Sequence, residues 1–259
     1  MKLGTTDQNY QMNKTVFISG ASRGIGRATA LRFAREGYSI VITYQNSKTE
    51  AEAAALECKQ AGALEILTLE LDLRDDDSIK RTAEITAGRF GRIDILINNA
   101  GIYEQGLVNE QGFAEIRRLI AVNLEGQVKL THELLPIVRK SLVNVGSRLG
   151  LFGKKKASVY SATKWGLRGF TKSLAEERPD LLVLAVHPGL TATQMGAPEG
   201  MPPEKVAEVI YNAATGKYRL KSGSDVLVRY YVMGRLGRVW FMVKTIIKMI
   251  IGKREFPRI

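Results

Sequence analysis

The chain has 259 residues, 45% of them hydrophobic, which is enough to bury one sizeable core. Its single cysteine, Cys58, excludes an internal disulfide and a thiolate metal cluster, and His132 and His187 have no second ligand at metal spacing, so no metal site is expected. The formal net charge of +12 is lopsided: residues 217–259 hold eleven Lys/Arg and two acids, which leaves the body before them nearly balanced.

Residues 1–13 read as an unstructured polar tail, without the charged, apolar and small-residue order of a secretory signal, so a cytoplasmic protein is expected. From residue 14 onward, apolar runs of strand length alternate with amphipathic stretches of helix length. The strands are expected at 15–19, 40–44, 64–71, 93–98, 142–145, 181–186 and 225–228, and the helices at about 24–37, 48–61, 76–89, 111–139, 157–178 and 203–215. The strand runs are continuously apolar, as strands covered on both faces are. Right-handed crossovers then give an α/β fold with a doubly wound parallel sheet, a Rossmann fold, in one domain over 14–228. Residues 229–259 form a basic, apolar extension. Ligands of such sheets bind beyond the carboxyl ends of the strands, so chemistry is expected just after each strand.

Directly after the first strand the chain reads Ser19-Gly20-Ala21-Ser22-Arg23-Gly24-Ile25-Gly26, followed by a helix-compatible run. Glycines here permit a tight turn, let the backbone approach a pyrophosphate and leave a helix N-terminus facing the anion. At the end of the second strand, Tyr44-Gln45-Asn46-Ser47-Lys48 lacks the acid that would bind a ribose 2′-hydroxyl. With Arg23 in the loop and Ser47 or Lys48 nearby, that favours the 2′-phosphate of NADP(H).

Tyr160 and Lys164 lie four residues apart, so on a helix they face the same way. A cation beside the phenol is expected to lower its pKa and make it a proton handle. A tyrosine packed over a lysine stem would give the same pattern. Ser147 follows the strand at 142–145, where a hydroxyl can stabilise a developing alkoxide. Gly146-Ser147-Arg148 lacks the nucleophile-elbow spacing, which excludes a serine hydrolase.

With Gly20-x-x-x-Gly24-x-Gly26, Asp72-Leu73, Asn98-Asn99-Ala100-Gly101, Asn123, Ser147, Tyr160-x-x-x-Lys164 and His187-Pro188-Gly189 with Thr193, residues 14–215 resemble the short-chain dehydrogenase/reductase family. The resemblance implies hydride transfer between a nicotinamide and a carbonyl or secondary alcohol, with Tyr160 as general acid/base and Asn123, Ser147 and Lys164 as its catalytic partners. It makes Asp72 a ligand of the adenine and Asn98 to Gly101 the wall near the adenine ribose. Asn123 would kink its helix and hold a water, and Pro188, Gly189, Thr191 and Thr193 would orient the nicotinamide amide and diphosphate. A homodimer or homotetramer is also implied. A non-catalytic NADP(H)-binding regulatory or scaffold protein of the same fold is the alternative, which has no need of the phenol. The chain departs from the family at Ser19, usually threonine, and at Gly146, often a second serine. The stretches 136–142 and 175–181 are short for the family, and so is the substrate loop at 194–203, which predicts an open site for bulky substrates.

In the extension, Val239, Met242, Val243, Ile246, Ile247, Met249 and Ile250 share a broad helical face, with Lys244 and Lys248 on another side. The run is too short to span a bilayer. Such a face suits an anionic membrane surface, with peripheral attachment, or packing on the domain or a sister subunit. Its basic residues are mixed with bulky aliphatics, which argues against nucleic acid.

Overall fold

The computed structural model describes residues 14–233; the polar tail at 1–13 and most of the basic extension lie outside the described residues. Seven strands, β1 (Thr15–Ile18), β2 (Ser39–Tyr44), β3 (Ile66–Glu70), β4 (Ile93–Asn98), β5 (Val138–Val145), β6 (Leu182–His187) and β7 (Asp225–Leu227), form one sheet in the order β3-β2-β1-β4-β5-β6-β7. Every neighbouring pair is parallel. The doubly wound α/β architecture expected from the apolar runs is therefore the one observed, with its order reversing between β1 and β4.

Parallel strands need crossovers, and helices α1 (Gly24–Ala34), α2 (Lys48–Gln60), α3 (Asp76–Phe90), α4 (Phe113–Ile120), α5 (Gly126–Leu134), α6 (Ser158–Glu177) and α7 (Pro203–Ala214) supply them. Side chains alternate along each strand, so one sheet builds two cores. Val16, Ile18, Ile40, Ile42, Ile95 and Ile97 face α1, α2 and α7, where Phe33 and Ile210 are buried. Phe17, Val41, Leu96, Leu142 and Val183 face the other way, against Ile79, Leu130 and Leu174 of α3, α5 and α6. Burial on both faces explains why the strands read as unbroken apolar runs.

Three expectations shift. The helix expected over 111–139 is α4, a π-helical turn at Ala121–Glu125 and α5, followed by a 3-10 turn at Leu135–Ile137. Pro136, which has no N–H to donate and fits only a helix's first turn, sits in that 3-10 turn and marks where the α-helix has stopped. The strand expected from 142 begins at Val138, which pairs with Ile93 through an irregular register. Arg139 and Lys140, both exposed, disguise those first residues as something other than a core strand. Finally, a short helix α8 (Val228–Val232) crosses the boundary expected after 228, and its Tyr231 and Val232 pack against the core that contains α7.

Candidate active site

The glycine loop lies where the strand order reverses. Gly20 has φ +65°, a left-handed conformation, and a Cβ there would stand 2.9 Å from the Ala100 Cα. At Gly26 a Cβ would meet the Gly20 carbonyl oxygen at 2.3 Å, so helix α1 enters closely packed under the loop. No side chain caps the N-terminus of α1, and its first N–H groups face the cleft. Ser19 keeps the hydroxyl the family has there as threonine: it accepts the amides of Asn99 (2.9 Å) and Ala100 (3.0 Å). The Asn99 carboxamide returns bonds to the carbonyls of Ser19 (2.9 Å) and Gly20 (3.0 Å).

Beyond these strand ends runs one cleft of about 1580 Å3, well above the roughly 300–1,000 Å3 of a drug-sized site. It brings together Gly20, Ser22, Arg23, Gly24, Ile25 and Gly26 with Tyr44, Asn46, Ser47, Asp72, Leu73, Asn99, Ala100, Gly101, Pro188, Gly189, Thr191 and Thr193, and joins them to Ser147, Tyr160 and Lys164. A cradle that any Cβ would fill, beside an uncapped helix N-terminus, fits the pyrophosphate of a dinucleotide. Arg23 is exposed at the loop and makes no ion pair among the described residues. Asp72 has partners of its own. Hydrogen bonds from the Arg74 side chain, one of 2.6 Å, together with Gln45 hold its carboxyl down at about 2.

Asn98, Asn123, Lys48 and His187 do not line the cleft. Asn98 is fully buried and ties β4 to its neighbours, donating to Thr131 Oγ1 (2.7 Å) and Asn144 Oδ1 (2.9 Å). Asn123 stands one layer behind, buried in the π-helical turn. Its side chain is committed to the backbone of Ile102, accepting from the N–H and donating to the carbonyl, both at 2.8 Å. It thereby holds the loop that carries Gly101, whose Cβ position lies 3.7 Å from Lys164 Nζ.

Tyr160 and Lys164 share one face of α6, and both are buried. Lys164 Nζ donates to the Val145 carbonyl (3.1 Å) and sits 5.8 Å from the centre of the Tyr160 ring. The sequence led us to expect a cation that lowers the phenol's pKa; the structure corrects this. Burial pushes Tyr160 up to about 12, against a hydrogen bond from Ser147, and burial pulls Lys164 down to about 8. A protonated phenol is the form that can donate a proton at neutral pH. Tyr103, which packs edge-to-face on Tyr160 at 4.7 Å, contributes to that burial and had no motif to announce it.

Ser147 is fixed from below. His187, at the end of β6, faces the Ser147 carbonyl with Nδ1 (3.0 Å) and the Asp225 carboxylate with Nε2 (2.9 Å). The ring thus bridges the Ser147 backbone and the Asp225 carboxylate. Asp225 also takes Arg168 (2.8 Å) and Lys172 (3.0 Å). Burial pushes its carboxyl up, but the hydrogen bonds from His187, Arg168 and Lys172 outweigh it and hold the group well below its ordinary value. Gly146 belongs to the same arrangement, because a Cβ there would lie 2.7 Å from His187 Nδ1. The missing second serine is matched by a ring that occupies its space.

These features define a dinucleotide-binding oxidoreductase site at the carboxyl edge of a parallel sheet, and comparison with known proteins agrees. The short chain dehydrogenase family profile matches residues 14–202. The 3-oxoacyl-(acyl-carrier-protein) reductase FabG of Staphylococcus epidermidis is 35% identical over 190 residues, 71% of this chain and 78% of the relative. A dehydrogenase/reductase from Sinorhizobium meliloti superposes with a TM-score of 0.78 at 30% identity, over 83% of this chain and 92% of that one. A short chain dehydrogenase from Burkholderia cenocepacia, solved in complex with NADP, gives a TM-score of 0.79 at 26% identity, over 83% and 96%. The chain belongs to the short chain dehydrogenase family and is an oxidoreductase.

Two outcomes follow from the network under Ser147. Gly146→Ser forces the His187 ring aside and is expected to lower stability by about 1–3 kcal/mol in chemical denaturation and to reduce turnover. Asp225→Asn removes a carboxylate whose folded pKa is depressed, a contribution present above the unfolded value near 4 and lost as pH falls below it. Melting curves of wild type and variant are expected to differ at pH 7 and to draw together progressively as pH falls below about 4 toward the depressed folded value.

Proposed function

We propose that the protein is an NADP(H)-dependent carbonyl reductase, or in reverse an alcohol dehydrogenase, with Tyr160 as the proton donor and acceptor. The observation that carries this reading is the convergence of Ser147, Tyr160 and Lys164 in the cleft that holds the glycine cradle. The bound cofactor supplies the hydride for the carbonyl carbon. Tyr160, kept protonated by its burial, gives its proton to the carbonyl oxygen as negative charge develops there. The Ser147 hydroxyl, which lines the cleft beside Tyr160, turns to the carbonyl oxygen and holds it toward that proton. Lys164, beside Gly101 and Tyr160, stands where it can resupply the phenol, and Asn123 keeps the Gly101 loop in place. The exposed Arg23, without an ion pair among the described residues, and the absence of an acid after β2 favour the 2′-phosphate, as does the NADP carried by the Burkholderia neighbour. The substrate loop folds back on itself through Thr191 and Met201, leaving Leu190 and Met195 half exposed in an open cleft that suits bulky apolar carbonyl compounds. The 3-oxoacyl thioesters named for its relatives are one such class.

Tyr160→Phe is expected to lower NADPH oxidation with a ketone panel by about 10²–10⁴-fold while NADPH still quenches protein fluorescence as in wild type. Turnover undiminished by the substitution overturns the mechanism, and equal turnover with NADH overturns the cofactor preference.

We also propose that a sister subunit covers the face of α4 and α6. These helices pack together, and Phe113 (86% exposed), Ile120 and Trp165 stand out from them, an apolar surface a monomer rarely leaves in water. Light scattering is expected to report a dimer or tetramer that Phe113→Glu with Trp165→Glu reduces to a monomer; a monomeric wild type refutes it.

A further inference from the structure

We propose that Arg148, with Lys154 to Lys156, forms an anion-binding subsite at the mouth of the cleft that selects carbonyl substrates bearing a carboxylate or phosphate group. This inference rests on the reductase reading and names its substrate class.

Arg148 follows Ser147 directly and lines the cleft. Its guanidinium lies 5.3 Å from the centre of the Phe152 ring. On the other side its chain runs along Gly189, where a Cβ would stand 3.2 Å from Arg148 Cδ and 3.6 Å from Nη1. The side chain thus lies between an aromatic face and a glycine backbone, and a Cβ at 189 would require it to give way by a few tenths of an ångström.

What it lacks is a counter-ion. Arg27, Arg32, Arg74, Arg118 and Arg168 each meet a carboxylate, whereas Arg148 meets none among the described residues. The acids that share the cleft are otherwise placed. Asp72 is taken by Arg74 and Glu104 by Arg118, and neither Glu199 nor Glu204 pairs with Arg148 or Lys154. The charged neighbour that does act on Arg148 is another cation, Arg229, and burial together with Arg229 pushes its pKa down. A half-buried, fixed and unneutralised guanidinium has more to gain from an oxyanion than a solvated one, because its donors are already in position.

The flanking turn adds charge. Lys154 lines the cleft, Lys155 and Lys156 are exposed beside it, and none of the three is ion-paired among the described residues. Lys156 holds φ +66°, a left-handed conformation that glycine would adopt more cheaply. It is kept there by its carbonyl, which accepts Gly106 N–H (3.0 Å), while the Lys154 carbonyl accepts Ala157 N–H (3.1 Å). The cleft that holds Ser147, Arg148 and Lys154 is also lined by the apolar Leu149, Phe152 and Leu190. The ligand that matches is amphipathic: an apolar body carrying the carbonyl to Ser147 and Tyr160, and an oxyanion reaching Arg148.

The test reads binding rather than turnover. The full-length Tyr160→Phe protein, with and without NADPH, is titrated calorimetrically with 4-acetylbenzoate, 4-acetylphenyl phosphate and the neutral methyl 4-acetylbenzoate. At least one anion is expected to bind about tenfold or more tightly than the ester, and the favoured anion identifies carboxylate or phosphate as the natural group. Adding Arg148→Met is expected to cut the advantage to about twofold or less, and Lys154→Met to shrink it. An ester that binds as well as both anions, an anionic advantage that survives Arg148→Met, or no binding by any of the three overturns the subsite. Absent ketone reduction by wild type would refute the reductase reading alone, since these titrations need no turnover.

Discussion

The ends of β1 and β4 are clasped by four hydrogen bonds, two into the Ser19 hydroxyl and two from the Asn99 carboxamide. Both strands stop at the point where the sheet order reverses, so the clasp joins the two walls of the cleft. Its geometry leaves no space for side chains at Gly20 or Gly26, and that closeness is what presents the N-terminus of α1 to an anion. Displace the clasp and the pyrophosphate seat, the Gly101 loop and the approach to Lys164 move together.

A second constraint acts from the far side of the sheet. Asp225 gathers His187, Arg168 and Lys172, and His187 passes the arrangement on to the Ser147 carbonyl. Ser147, the serine proposed to meet substrate, is therefore positioned by the last strand of the sheet as well as by its own. Catalytic precision depends on such supports, since a shift of about 1 Å at a reacting group can cost two orders of magnitude in rate.

Much of this was legible in the sequence, for a physical reason. Strands buried on both faces advertise themselves as apolar runs, and a loop that must approach a pyrophosphate can use little but glycine. What stayed hidden depends on three-dimensional closure. The first residues of β5 were masked by Arg139 and Lys140, which extend beyond the covered part of the sheet. The π-helical turn at Asn123 leaves no mark in hydrophobic period. Neighbours such as Tyr103, Phe152 and Arg148 carry no motif, because their place in the cleft is set by loops. The Tyr160 phenol went the wrong way for the same reason: spacing showed the cation four residues off, while the burial that dominates both groups appears only once the chain has folded around them.

The strand order has a consequence for synthesis. β1 leaves the ribosome early and pairs with β2, but its other neighbour is β4, where Val16 meets Ile95. Until that segment emerges, one edge of an intensely apolar strand stands unpaired, the kind of edge that recruits other chains. The half of the fold made first is therefore the half most in need of shelter, and the cleft comes into being at the moment the exposed edge disappears.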